Sequence, residues 1–273
     1  MRRVAMLAAA LAVALPTAAH AVWGGQTDLA HPSVGAMYYD FQGTNVAVAD
    51  GLVCSGSYAG RSTNGLNDVF LTAGHCLPPA GLGIPANDLI VSFDPNAGDG
   101  VSSQITVSSY HQMPGFGHDL GDLRDLGILL LPAGSVPAGT QAVQLPTAGH
   151  LDALKSSGAL QFRIVDVVGY GVIPIWEPAG PTQFAFDGVR RSGTSIITGL
   201  HKAMVHYNQN RHGIGTGSGV CFGDSGSPQF DRGTLLVLSV TSGGNGQCNA
   251  NNVNYRVDTP QARAFLGRFL TLP

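Results

Sequence analysis

The sequence predicts an all-β chain organised as two strand-rich halves. Three observations carry this: short apolar or β-branched runs at close spacing, turn-forming residues between them, and a proline-punctuated connector near the middle. The 273 residues include 38 Gly and 16 Pro against only 11% charged residues, a turn-rich composition in a chain long enough to bury a large core. Strands this short and this closely spaced favour an antiparallel barrel or sandwich over alternating strand and helix.

The first element is a targeting segment. Met1-Arg2-Arg3 is a positive n-region, Val4 to Leu15 an apolar run, and Ala19-His20-Ala21 a small-x-small cleavage site, so residues 1–21 read as a signal peptide and Val22 as the mature N-terminus. The apolar run is short for a membrane anchor and ends at Pro16, and no later segment is apolar enough to span. Candidate strands then follow at Gly51–Ser57, Val69–Thr72, Asp88–Phe93, Ile105–Tyr110, Leu126–Leu131, Ala159–Tyr170 and Leu235–Thr241. Pro132-Ala133-Gly134-Ser135-Val136-Pro137 through Pro146 divides the domain 22–273 into a first half (22–131), a connector (132–146) and a second half (147–273). The last element is a helix: Thr259 caps, Pro260 takes the first helical position, and Ala262, Phe265, Leu266, Phe269 and Leu270 recur at helical spacing.

A net charge of -3 supplies no electrostatic reason to expect nucleic acid. Export implies an oxidising compartment, and Cys54, Cys76, Cys221 and Cys248 allow three disulfide pairings. None forms Cys-x-x-Cys, so a structural zinc is not expected.

The chemistry lies in two strings. Leu71-Thr72-Ala73-Gly74-His75-Cys76 carries a candidate base, and Gly223-Asp224-Ser225-Gly226-Ser227-Pro228 a candidate nucleophile. A serine hydroxyl attacks poorly at neutral pH unless a base takes its proton, and a carboxylate is then needed to orient that base. Asp119, Asp122 and Asp125 are all within reach in sequence, but only Asp125 leads directly into an apolar strand, which favours it as the orienting residue.

With these strings in place, the chain resembles the trypsin-like serine proteases of the chymotrypsin family. The likeness rests on Val22-Trp23-Gly24-Gly25, Cys54-Ser55-Gly56-Ser57, Leu71 to Cys76, Asp125 to Leu131, Gly169-Tyr170-Gly171, the serine string, and Tyr255-Arg256-Val257 before the final helix. The resemblance implies two six-stranded antiparallel barrels with a cleft between them, and His75, Asp125 and Ser225 as catalytic residues. It also implies an oxyanion hole from the N–H groups of Gly223 and Ser225, disulfides Cys54–Cys76 and Cys221–Cys248, and an activating pair between the Val22 amine and Asp224. The primary pocket would have Gly219 at its base, where trypsin carries an aspartate, with Thr241-Ser242-Gly243 as a wall and Val253 where a glycine is common. Ser227 stands where the family usually has a second glycine.

The expected activity is that of a secreted serine endopeptidase, extracellular or periplasmic and monomeric, acting on proteins or peptides with no cofactor, no metal, no nucleic acid and, after signal cleavage, no membrane. With no acidic residue at Gly219, uncharged side chains should be preferred before the scissile bond. The alternative is a catalytically silent binding module of the same fold. A lipase of the α/β-hydrolase type is disfavoured, because no Gly-x-Ser-x-Gly occurs and the histidine string precedes the serine. His201, His206 and His212 read as surface residues, Asp94-Pro95-Asn96-Ala97-Gly98-Asp99-Gly100 as a turn without EF-hand spacing, and Arg190-Arg191 as part of an exposed loop.

Overall fold

The computed structural model describes residues 22–40, 52–79, 82–98, 103–177, 180–210 and 217–273. The expected signal peptide, Asp99, Gly100 and His212 lie outside them. In chain order the strands are β1 (Gln26–Thr27), β2 (Val34–Tyr39), β3 (Leu52–Arg61), β4 (Asn67–Thr72), β5 (Leu89–Ser92), β6 (Ile105–Thr106), β7 (Ser109–Gln112) and β8 (Gly127–Pro132). After helix α1 (His150–Ser156) come β9 (Ile164–Gly169), β10 (Ile173–Ile175), β11 (Gln183–Ala185), β12 (Arg191–Leu200), β13 (Met204–Asn208), β14 (Pro228–Asp231), β15 (Val237–Gly244) and β16 (Asn251–Arg256), then α2 (Pro260–Leu266).

All named strand pairings are antiparallel, and they form two large sheets and a separate two-stranded ribbon, β10-β11. In the second half, β9 pairs with both β12 and β14, so the order β12-β13-β16-β15-β14-β9 closes into a six-stranded barrel. The first half has the order β6-β5-β2-β3-β4-β8-β7 and curls into a half-barrel. Its single expected strand at 105–110 is divided by a bend: Val107 N–H donates to Leu89 O and Ser108 N–H to Leu130 O. The segment thereby passes from the β5 edge to the β8 edge, so the two edges meet through a shared bent segment rather than a full ladder.

The larger apolar cluster is centred on the first sheet and runs on into Val168, Phe230, Val240 and Tyr255 of the second, which also encloses a smaller cluster of its own. Met37, Phe70, Leu71, Ile90, Leu129 and Leu131 fill the first core, and Ala262, Phe265 and Leu266 of α2 belong to the same cluster. Thr259 accepts from Ala262 N–H at 3.2 Å as the helix cap. Val165, Val167, Ile197, Val205, Tyr207 and Leu238 fill the second core, joined by Val22. Each such side chain contributes about 1.5–3 kcal/mol through removal from water.

Two features differ from the sequence reading. The segment from Val22 to Thr27 follows the second barrel, with β1 paired to β12, although sequence order places it with the first half. Arg190 and Arg191 are buried rather than exposed. Arg190 donates to Val34 O at 3.0 Å, Phe93 O at 2.9 Å and the Tyr170 hydroxyl at 3.1 Å, and pairs with Asp28 at 3.2 Å. A guanidinium with its donors satisfied in this way tolerates the interior.

Candidate active site

His75 stands in a tight 3-10 turn, Gly74–Cys76, just beyond β4. The turn is anchored by the Cys54–Cys76 disulfide, which ties it to β3. Asp125 lies just ahead of β8, and because β8 pairs with β4, the ladder from Thr72↔Gly127 onward brings Asp125 beside His75. The Asp125 carboxylate accepts the His75 backbone N–H at 2.8 Å, and its other oxygen lies 2.9 Å from Nδ1. The Ser242 hydroxyl donates to that second oxygen. Three contacts therefore fix a buried carboxylate against a ring whose side chain is 33% exposed.

Asp119 and Asp122 are engaged elsewhere. Asp119 accepts Gly121 N–H at 2.8 Å, and Asp122 accepts the Tyr255 hydroxyl at 2.7 Å.

Ser225 sits in the loop before β14, and backbone contacts hold that loop to β3 of the first half on one side and to β15 of the second on the other. Ser55 N–H donates to Ser225 O at 2.8 Å, and Gly226 N–H donates to Thr241 O at 2.8 Å. Gly226 has φ +82°, and a Cβ there would lie 2.1 Å from Thr72 Oγ1 and 2.3 Å from Ser55 O; only glycine fits. Since Ser55 follows Cys54 and Thr72 precedes His75 by three positions, the same contacts set the serine loop against the histidine turn. The Ser225 hydroxyl and His75 Nε2 have no hydrogen-bond partner among the described residues.

The backbone before the serine is equally constrained. The Ser55 hydroxyl donates to Gly223 O at 2.9 Å and accepts Tyr170 N–H at 3.1 Å. Gly223 has φ +89°, and the N–H groups of Gly223 and Ser225 donate to no described residue, leaving both available to an incoming anion. Asp224 is fully buried and accepts from Gly171 N–H at 2.8 Å and Cys221 N–H at 2.9 Å. Burial pushes its pKa up to about 7, against the opposing pull of those two hydrogen bonds and of Arg191. Ser227, at the place of the second glycine, is buried with its hydroxyl 2.8 Å from Thr241 Oγ1.

A cavity of about 230 Å³ opens beside Ser225, lined by Thr241, Ser242, Gly243, Gly244, Asn245, Val220, Phe222, Gln209 and the Cys221–Cys248 disulfide. Two residues expected in it lie elsewhere. Gly219 is bridged to Trp23 and covered by Gln209, while Val253 packs on the first core because alternation along β16 turns it away. Gln209 and Asn245 were not legible as site residues; both stand in polar stretches whose strings match no catalytic pattern.

Other clusters stay apart from this site. The His201 and His206 rings pack at 4.6 Å between centroids, and burial, with the neighbouring His201, lowers the pKa of His206. The 94–98 turn is pinned by Ala97 N–H to Gly188 O at 2.9 Å and Arg190 N–H to Pro95 O at 2.7 Å. The sulfurs of Cys54 and Cys76 lie near His75 but are joined to each other, so they offer no thiolate to a metal.

Against known proteins, the family model described as Trypsin matches residues 41–265. No curated protein matches the chain. Among solved structures, human heparin binding protein is 18% identical, with 89% of this chain and 94% of that one covered and a TM-score of 0.62. Neuropsin, a serine protease expressed in the limbic system of mouse brain, is 20% identical over 86% of this chain and 94% of its own, with a TM-score of 0.58. The Vibrio cholerae VesB protease is 16% identical, covering 86% and 62%, with a TM-score of 0.58. At these identities the structural likeness concerns the fold.

Proposed function

This chain belongs to the trypsin family, and from that premise we propose that it is a secreted serine endopeptidase working through an acyl-enzyme on Ser225. The observation that carries the reading is the carboxylate of Asp125 placed 2.9 Å from His75 Nδ1, with the Ser225 loop docked three residues from that histidine. In the proposed reaction His75 takes the Ser225 proton at Nε2 as the hydroxyl attacks the scissile carbonyl. Asp125 holds the ring in the tautomer that leaves Nε2 free and stabilises the imidazolium. The N–H groups of Gly223 and Ser225 receive the developing oxyanion, each worth about 2.7–4 kcal/mol to the transition state. His75 then returns its proton to the leaving amine, and water, activated by the same base, releases the acyl group.

Signal cleavage before Val22 would free an α-amine already committed to the second barrel. Val22 is buried in that core and Trp23 is bridged to Gly219, which supports the pairing of the Val22 amine with buried Asp224. The two disulfides agree with export. A binding module of the same fold is the second reading, since one structural neighbour is named for heparin binding. The complete set of His75, Asp125 and Ser225 weighs against it.

A fluorophosphonate probe should label the mature wild-type protein and not Ser225→Ala. Peptide hydrolysis should fall about 10⁶-fold in Ser225→Ala or His75→Ala, and the double mutant should be little worse. Asp125→Ala should cost about 10⁴-fold, and Asp119→Ala or Asp122→Ala less than about tenfold. Absence of labelling and of hydrolysis in the wild type would favour the binding module.

A further inference from the structure

We propose that Gln209, rather than Gly219, determines which side chain enters the primary pocket, and that it selects long, uncharged side chains ending in a hydrogen-bond acceptor, tyrosine foremost. The inference rests on the peptidase reading above. Gln209 is 1% exposed and lines the same cavity as Ser225. Gly219 has no room for any side chain: a Cβ there would lie 2.5 Å from Gln209 Cβ and 2.6 Å from Trp23 Nε1. The space a residue at 219 would use is already filled, and the cavity meets Gln209 in its place.

The orientation of the carboxamide follows from its partners. Oε1 accepts Val220 N–H at 3.0 Å, while Nε2 has, among the described residues, a single long contact, 3.4 Å to Asn251 O. An amide nitrogen carries two hydrogens, so one N–H remains for an occupant. Most other side-chain polar atoms around the cavity, the Ser225 hydroxyl aside, have partners of their own. Asn245 Oδ1 accepts the N–H groups of Asn249, Ala250 and Asn251, and its Nδ2 donates to Asn249 Oδ1. Thr241 Oγ1 is engaged by Gln229 and Ser227, and the Ser242 hydroxyl by Asp125. Val220, Phe222 and the Cys221–Cys248 disulfide supply apolar surface, and no described lining residue is a carboxylate.

On the open side, a Cβ on Gly243 would meet nothing within 4 Å, which admits a long side chain. A lysine or arginine tip would bring a cation against an N–H donor, with no carboxylate among the described lining residues to neutralise it. Phenylalanine fits but leaves that donor without a partner, whereas the phenolic oxygen of tyrosine accepts from it.

The test uses the mature protein and peptides identical except for the residue before the scissile bond, with active sites counted by fluorophosphonate titration. In the wild type, kcat/KM for tyrosine should exceed that for phenylalanine by about tenfold, with lysine lowest. Gln209→Glu places a carboxylate where the amide stood and should raise lysine above tyrosine. Gln209→Met keeps the volume, removes the donor and should bring the tyrosine-to-phenylalanine ratio to about one. Gly219→Asp should gain no lysine cleavage. A purely structural role for Gln209 would lower every substrate by the same factor. A wild-type ratio at or below one, or a profile unchanged in either Gln209 variant, overturns the inference while leaving the peptidase reading intact. Absence of labelling and cleavage in the wild type overturns that reading instead.

Discussion

Asp224 is a single buried carboxyl that would link the proposed processing to pH. With its pKa pushed up to about 7 by burial, against 3.8 in an unfolded chain, the folded protein holds a proton on Asp224 that the unfolded chain gives up. The resulting stability is fully present below about pH 4 and is lost as the pH rises through about 7, on the order of 4 kcal/mol. A chain retaining residues ahead of Val22 has a peptide nitrogen at Val22 and no ammonium to offset this loss. Val22 is also β-branched at φ 45°, a conformation costly for such a residue, and cleavage before it releases the constraint. A chain extended by two residues ahead of Val22 should therefore melt at a lower temperature at pH 8 than at pH 5 and turn over slowly. The chain beginning at Val22 should lose most of that dependence if its α-ammonium pairs with Asp224 as proposed. Equal pH slopes in the two chains, read by thermal denaturation, would refute the pairing.

At the scale of elements, the serine loop and the strands it docks on act as one unit. Gly226 is the point of closest approach, pressed between Thr72 Oγ1 and Ser55 O, and Thr72 in turn donates to Ser55 O at 2.8 Å. Gly226→Ala adds a methyl into that contact at a positive φ, so the loop must back away from β3 and carry Ser225 with it. The expected cost is about 2–4 kcal/mol of stability and a loss of turnover of at least about 100-fold. Steady-state kinetics beside a melting curve checks both, and full turnover would show that the loop position is set elsewhere.

For the whole molecule, Arg190 is the contact that most directly joins the parts. It reaches Asp28 of the N-terminal segment, Val34 O and Phe93 O of the first half, and Tyr170 of the second. Arg190→Met leaves the buried Asp28 carboxylate without its guanidinium and removes the donor that Val34 O, Phe93 O and the Tyr170 hydroxyl share, which should cost about 3–5 kcal/mol, or about 10 °C in melting temperature for a domain of this size. His31, 2.8 Å from Asp28, retains part of the pairing, so Arg190→Met should cost less than it would with Asp28 wholly unpaired. A variant melting within about 2 °C of the parent would assign the junction to apolar packing alone.

What the sequence by itself determined is local or carried by strings. Strands with compact apolar runs, such as β4, β5 and β8, were legible from periodicity, and the capped terminal helix from Thr259-Pro260. The histidine and serine strings marked the site because glycine and cysteine surround them for steric reasons that hold wherever the chain folds. Other elements were not legible, since their burial is settled by partners distant in sequence. Val34–Tyr39 is almost wholly buried and shows no alternation, while β12 is rich in Gly, Ser and Thr and reads as a loop until β9 and β13 flank it. On β16 the pattern is inverted relative to the usual expectation, with Asn252 and Asn254 buried. Gln209 and Arg190 were missed for the same reason: a polar side chain goes inside only when a fold delivers its partners. Val220 N–H, Asn251 O, Asp28 and Tyr170 reach these residues from 11 to 162 positions away, and only the tertiary structure decides that.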